Sequence, residues 1–145
     1  LFHLLSHRAH IVDMTVMLQK EVIDRMVATP GSDDYGRLGV MLAPWFDITW
    51  LFDVGPGAFR PPPRVWSSVA HLAVLPEPRF AVPESYGLVV ARAFSQRRKT
   101  LRNGLRGLVD GAAIEKAGID PGARPETLSP QQFATLAALA PGAPA

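Results

Sequence analysis

The stretch from residue 46 to 74 decides the fold. It reads Phe46-Asp47-Ile48-Thr49-Trp50-Leu51-Phe52-Asp53-Val54, then Gly55-Pro56-Gly57, then Phe59-Arg60-Pro61-Pro62-Pro63-Arg64, and finally Val65 to Val74. In the first run the apolar residues fall on every second position for most of its length, the period of a half-buried strand. Gly55-Pro56-Gly57 breaks that strand. Three consecutive prolines fix φ and remove backbone donors, so the segment from Phe59 to Pro63 is neither a central strand nor a helix but a stiff, extended arm. Val65 to Val74 resumes as a strand, expected to pair antiparallel with the one before it.

Upstream, Leu1 to Arg8 reads as the last turns of a helix. Ile11 to Leu18 is almost continuously apolar, which suits a strand buried on both faces of a parallel sheet. Gln19 to Ala28 reads as a short helix with Val22, Ile23, Met26 and Val27 on one side, and Thr29 to Asp34 ends it with loop chemistry. A second helix is expected over Arg37 to Trp45. Helix, strand, helix, helix and hairpin in that order predict the closing part of an α/β sheet.

Downstream, Ala73 to Pro83 holds three prolines and little periodicity, the signature of a boundary. Beyond it the pattern is helical. Pro83 and Glu84 start one helix, Leu101 to Val109 forms another, and Ala112 to Ala117 a third. Ser129 caps the last, with Pro130 in its first turn, and Pro141 to Ala145 reads as a frayed tail. The expected organisation is a domain over 1–74, a linker over 75–83 and a small all-helical domain over 84–145.

Composition narrows the function classes. At 145 residues the chain suits one modest domain, or part of one with a small second domain. With no cysteine it has no disulfide and no thiolate metal site, which fits a reducing cytoplasm. No apolar run approaches the roughly 18 residues of a membrane span. The opening Leu1-Phe2-His3-Leu4-Leu5 starts inside an amphipathic turn, without Met or a capping residue, so the reading expects an upstream portion to be missing.

Two segments carry chemistry. The first is the arm itself, because an aromatic ring on a proline-stiffened support can hold a flat base taken out of its stack. The same composition also fits a plain loop with a core phenylalanine. The second is Phe94-Ser95-Gln96-Arg97-Arg98-Lys99-Thr100-Leu101-Arg102-Asn103. Taken as roughly helical at about 100° per residue, it puts Val90, Phe94, Leu101, Leu105 and Leu108 on one face. Arg92, Arg98, Lys99, Arg102 and Arg106 then fall within an arc of roughly 120° on another face, suited to phosphates. Arg97 lies nearer the apolar side, which suits internal pairing. A solvated basic face without a ligand fits the same pattern.

Other candidates are weaker. His3 and His7 share a helix face but lack a third metal ligand. Asp33-Asp34 sits in a turn. No G-x-G-x-x-G run follows a strand, Gly104 and Gly107 being in the wrong context, and no nucleophile has a paired His and Asp. The reading therefore assigns no catalytic, cofactor-binding or metal-binding residue to this chain.

Four motifs in order carry a resemblance: Met17-Leu18-Gln19-Lys20-Glu21-Val22, Tyr35-Gly36-Arg37-Leu38, Phe59-x-Pro61-x-Pro63-x-Val65-x-Ser67, and Phe94 to Asn103. Together with Gly118-Ile119-Asp120-Pro121 they strongly resemble the ribosomal RNA adenine dimethyltransferases of the KsgA/RsmA type, from the middle of the catalytic domain to the C-terminus. The resemblance implies the C-terminal part of a Rossmann-like methyltransferase sheet followed by a small helical domain. It also implies an S-adenosylmethionine-dependent enzyme that dimethylates two neighbouring adenosines near the end of small-subunit ribosomal RNA in the pre-30S particle, a cytoplasmic monomer. The family's cofactor glycines and catalytic motif would lie before Leu1, so this chain alone is expected to be inactive. By the same resemblance Phe59 packs against the flipped adenine, and Pro61, Pro63 and Val65 hold the arm. Gln19, Lys20 and Glu21 frame the pocket, while Arg92, Arg97, Arg98, Lys99, Arg102 and Arg106 face the RNA. Two rivals remain at this stage: a large-subunit methyltransferase of the antibiotic-resistance type, which shares the Phe-x-Pro-x-Pro-x-Val segment, and a non-enzymatic RNA-binding or ribosome-assembly module.

Overall fold

A computed structural model describes residues 1–140; the expected tail at Pro141 to Ala145 lies outside the described residues. The elements run α1 (Phe2–Ser6), β1 (Asp13–Gln19), α2 (Lys20–Val27), α3 (Arg37–Leu42), β2 (Phe46–Val54), β3 (Ser67–Val74), α4 (Tyr86–Ser95), α5 (Leu101–Gly104), α6 (Gly111–Lys116) and α7 (Pro130–Leu139). Among the described residues no helix is long and apolar enough to cross a membrane.

The three strands form one sheet in the order β1-β3-β2, and both pairings are antiparallel. The hairpin expected from the alternation is there, with Phe46 opposite Val74 and Val54 opposite Ser67. The register shifts between Trp50 and Phe52, so Leu51 is an extra residue, a β-bulge that brings Trp50 and Asp53 together.

β1 corrects the expectation of a strand buried on both faces of a parallel sheet. Among the described residues it is the outer of three strands, paired antiparallel with β3, and its burial alternates. Met14, Val16 and Leu18 face the core, whereas Met17 on the other face is 50% exposed. Asp13 and Thr15 share that face with Met17.

One sheet face is covered by the first three helices. Leu5, Ile23, Met26 and Leu42 pack on Phe46, Ala70 and Leu72. Burying each large apolar side chain contributes roughly 1.5–3 kcal/mol relative to leaving it exposed. α3 is shorter than expected, ending at Leu42, because Pro44 has no N–H to continue the ladder.

A second core belongs to the helices after residue 83. Val89, Val90 and Ala93 of α4 meet Leu101, Leu105, Ile114, Phe133 and Leu136 there. Tyr35 and Val40 enter this core from the sheet side. The Tyr35 hydroxyl donates to Leu128 O at 2.6 Å, and the Tyr86 hydroxyl donates to Val40 O at 2.7 Å. Burial pushes both phenols well above their ordinary pKa, so they remain protonated donors at neutral pH. Arg79 adds a clasp, donating to Ala43 O and Phe46 O and pairing with Asp47 at 3.5 Å.

α7 begins as read from the sequence. Ser129 accepts from the Gln132 backbone while the Gln132 side chain accepts from the Ser129 backbone, a complete capping box. α4 starts at Tyr86 rather than at Pro83, since the Tyr86 N–H first closes a turn onto Pro83 O.

The largest correction concerns the basic segment, which is not one helix. α4 ends at Ser95, a turn holds Arg97, Arg98 and Lys99, and α5 starts afresh at Leu101. The cause is tertiary: Leu101 N–H donates to Ala123 O at 2.8 Å and Arg102 N–H to Pro121 O at 3.0 Å. Those carbonyls replace the intrahelical acceptors a continuous helix would have offered. α5 in turn stops at Gly104 instead of reaching Val109, and Gly107 follows with φ +84°, which a helix does not tolerate. Despite the break, Val90, Leu101 and Leu105 are buried together, and Phe94 and Leu108 pack against them.

Candidate nucleic-acid interface

The proline arm leaves the hairpin through a short turn at Pro56–Ala58, closed by Phe59 N–H onto Pro56 O at 3.2 Å. Phe59 is extended and half-buried. Pro61, Pro63 and Val65 are exposed, and the Arg60–Pro61 peptide is cis. The far end of the arm is tied down where Lys20 N–H donates to Trp66 O at 2.9 Å, joining it to the first residue of α2.

That junction opens a cavity of about 430 Å³ lined by Gln19, Lys20, Glu21 and Asp24 on one side and Arg64, Val65 and Trp66 on the other. The structure thus brings Gln19, Lys20, Glu21 and Val65 to one cavity, while Phe59, Pro61 and Pro63 do not line it. Sequence reasoning missed Asp24, Arg64 and Trp66; an exposed tryptophan within an otherwise proline-rich, polar loop was the available signal.

Its electrostatics are largely paired. Lys20 Nζ sits 3.0 Å from Asp24 and Glu21 lies 2.7 Å from Arg25, both one helical turn apart. The Asp24 hydrogen bond raises the Lys20 pKa, so this ammonium is charged at neutral pH. Nearby, Asp53 accepts from Ser68 Oγ at 2.5 Å and from Trp50 Nε1 at 2.9 Å, and these bonds lower its pKa. Ser68 is completely buried, so the Asp53 carboxylate satisfies its hydroxyl.

On the helical side all six expected cations are exposed. Arg92 lies on α4, Arg97, Arg98 and Lys99 on the turn, Arg102 on α5 and Arg106 just after it. Among the described residues none of the six forms an ion pair with a carboxylate. Three are partly held by neutral acceptors: Arg97 donates to Asp33 O at 3.2 Å, Arg92 to Arg106 O at 3.5 Å and Arg106 to Asn103 Oδ1 at 3.2 Å. The Arg97 bond is the internal pairing its position suggested, and with Arg25, Arg37 and Phe94 it lines a cleft of about 470 Å³. Arg102 lies across Gly111, where its Nε is 2.9 Å from the point a β-carbon would occupy. With no carboxylate paired to it among the described residues, the cluster forms a cationic surface, the kind that suits a polyanion.

Gly118-Ile119-Asp120-Pro121 has a supporting part. Ile119 is buried in the helical core, and Pro121 O receives the Arg102 N–H, which holds the start of α5. His3 on α1 and His7 just after it are exposed, with ring centroids 4.5 Å apart and the rings tilted by 46°. Among the described residues no group of three or more His, Cys, Asp or Glu could hold a metal ion.

Residues 1–140 match the family model described as ribosomal RNA adenine dimethylase. The ribosomal RNA small subunit methyltransferase A of Aromatoleum aromaticum is 54% identical over 138 residues, covering 94% of this chain and 52% of that protein. Its counterpart in Pseudomonas putida is 51% identical over 142 residues, with 94% and 52% covered. The chain spans about half the length of the curated relatives it matches. Among solved structures, a dimethyladenosine transferase from Plasmodium falciparum shares the fold, with a TM-score of 0.76 at 23% identity over 93% of this chain and 59% of that one. The 23S rRNA methyltransferase ErmE gives 0.59 at 27% identity, over 88% and 54%. With the family model matched from residue 1 to residue 140, the chain belongs to the ribosomal RNA adenine dimethylase family.

Proposed function

We propose that the protein carrying this chain dimethylates the N6 amines of two adjacent adenosines near the 3′ end of small-subunit ribosomal RNA. It acts as a cytoplasmic monomer on the pre-30S particle. The observation that carries the reading is the cluster of six exposed cations without a carboxylate partner among the described residues, in a chain of this family. Phosphate contacts supply affinity and register, and the aromatic arm supplies the grip on a base. In this reading residues 1–74 close the catalytic domain, 75–83 link, and 84–145 form the RNA-facing helical domain.

S-adenosylmethionine would supply the methyl group. The cavity beside Trp66 does not fit it, because among the described residues its two carboxylates, Asp24 and Glu21, are already paired with Lys20 and Arg25 and leave none for its sulfonium and ammonium. The residues that hold the cofactor are therefore assigned to the remaining length of the protein. The cofactor would supply an electrophilic methyl, the carbon–sulfur bond breaking as the amine nitrogen bonds to carbon, with the thioether leaving and the amine proton passing to solvent, so the enzyme's task is orientation and electrostatic support rather than a covalent nucleophile. This chain's share is to hold the adenine from one side with Phe59, braced by Pro61, Pro63 and Val65, and to anchor the RNA backbone through Arg92, Arg97, Arg98, Lys99, Arg102 and Arg106. Gln19, Lys20 and Glu21 frame the pocket. Isolated from the rest, the chain transfers no methyl group.

The names borne by relatives at about half identity favour small-subunit over large-subunit RNA. Unmethylated small and large ribosomal subunits, incubated with the complete protein and S-adenosylmethionine and then read by primer extension, test the choice. The expected result is a pair of adjacent stops near the 3′ end of the small-subunit RNA. Stops in the large-subunit RNA alone would overturn it.

A further inference from the structure

Trp66 stands where the arm meets β3, and neither the grip on adenine nor the basic cluster uses it. A β-carbon built on Gly55 would lie 3.3 Å from Cη2 of Trp66 and 3.5 Å from each of its neighbours Cζ2 and Cζ3. Such similar distances to three consecutive carbons place that point above the ring; an in-plane approach to Cη2 would leave the flanking carbons distinctly farther away. One face of the indole therefore rests on bare glycine backbone. The residue is nonetheless 54% exposed and lines the 430 Å³ cavity. Its carbonyl is fixed by the Lys20 N–H at 2.9 Å.

The charges around this ring are unequal. The two carboxylates of the cavity wall, Asp24 and Glu21, are each matched by a cation, Lys20 and Arg25. Arg64 is exposed and forms no ion pair among the described residues. The cavity thus offers a flat apolar face, one uncompensated cation and the Gln19 amide. A flat π-face with a cation beside it suits a nucleotide whose base is unstacked and whose phosphate is charged.

We propose that the open face of Trp66 stacks an unpaired base of the RNA substrate, close to the base held by the Phe59 arm, with Arg64 against its phosphate and Gln19 available to its edge. The proposal rests on the RNA-methylating reading above and adds a second base-holding position to it.

The test uses the complete protein with Trp66→Leu, Trp66→Phe and Arg64→Ala, methylating unmethylated small subunits, and a short single-stranded oligoribonucleotide as binding probe. Leucine keeps an apolar contact on Gly55 but has no π-face. Trp66→Leu is expected to raise KM and the oligonucleotide Kd about tenfold with kcat little changed, and Trp66→Phe to restore most of the loss. Arg64→Ala is expected to reduce the salt slope of binding by about one. If Trp66→Leu matches the wild type, or Trp66→Phe fails as badly as Trp66→Leu, the stacking role is wrong. Loss of methylation in Phe59→Ala and Arg98→Ala alongside a silent Trp66→Leu would sink this inference alone. If none of the three changes RNA methylation, the functional reading falls with it.

Discussion

Replacing Arg98, Lys99 and Arg102 with alanine in the complete protein is expected to weaken binding to small-subunit ribosomal RNA by about a hundredfold or more at 0.1 M salt. The estimate follows from counterion release. Each phosphate neutralised contributes a slope of about −0.9 in log affinity against log salt on a duplex, about −0.7 on a single strand, so at 0.1 M each contact is worth about a factor of five to ten. These three cations are exposed and lack carboxylate partners, so removing them breaks no ion pair among the described residues. Arg97 is left in place because its bond to Asp33 O belongs to the junction between the two cores. The measurement is RNA affinity across a salt series, with the slope of the variant shallower by about two to three. An unchanged slope would mean that the cluster faces solvent and not phosphate. Thermal unfolding should move little, since exposed charges contribute little to stability.

The second large effect falls on turnover. Phe59→Ala is expected to lower kcat by roughly 10- to 100-fold while changing RNA affinity much less, because stacking on one ring is worth about 1–3 kcal/mol and that contact aligns the attacking amine. Phe59 is extended and half-buried at the root of the arm, so part of the residue is open to a ligand. Phe59→Tyr should retain most of the rate. Single-turnover methylation separates this from a binding defect. A variant that lost affinity with the salt dependence of the arginine variants, and no rate of its own, would contradict the division of labour between arm and cluster.

Local periodicity made much of the fold legible. The Phe46 to Val54 alternation gave the hairpin, and Ser129-Pro130-Gln131-Gln132 gave the start of α7. What was not legible depends on partners distant in sequence. The break after Ser95 is imposed by the carbonyls of Pro121 and Ala123, about twenty residues further on, and nothing in Gln96 to Thr100 announces it. Tyr35 and Val40 read as parts of the sheet domain's connecting segment, yet they belong to the helical core, bound by Leu128 and Tyr86. Ile11 to Leu18 read as a strand of a parallel sheet, whereas its partner among the described residues, β3, is antiparallel, and an apolar run alone does not tell the two apart.

For the candidate site, the sequence named residues whose placement the structure only partly matches. Gln19, Lys20, Glu21 and Val65 meet at one cavity, and the cations are exposed, but they spread over α4, a turn and α5 rather than along one helix. Splitting the cluster this way changes what it can touch. A turn bearing Arg97, Arg98 and Lys99 in succession presents charges in more directions than one helical stripe, which suits a curved RNA backbone better than a straight groove.

Site-specific crosslinking from positions 59 and 98 of the complete protein, with the crosslinks mapped on ribosomal RNA by reverse transcription, asks most directly whether arm and cluster grip one strand system. The expected outcome is that position 59 reacts at the paired adenosines and position 98 at backbone nearby in the same small-subunit RNA. Crosslinks to different RNA molecules, or to RNA from position 98 and none from position 59, would contradict it.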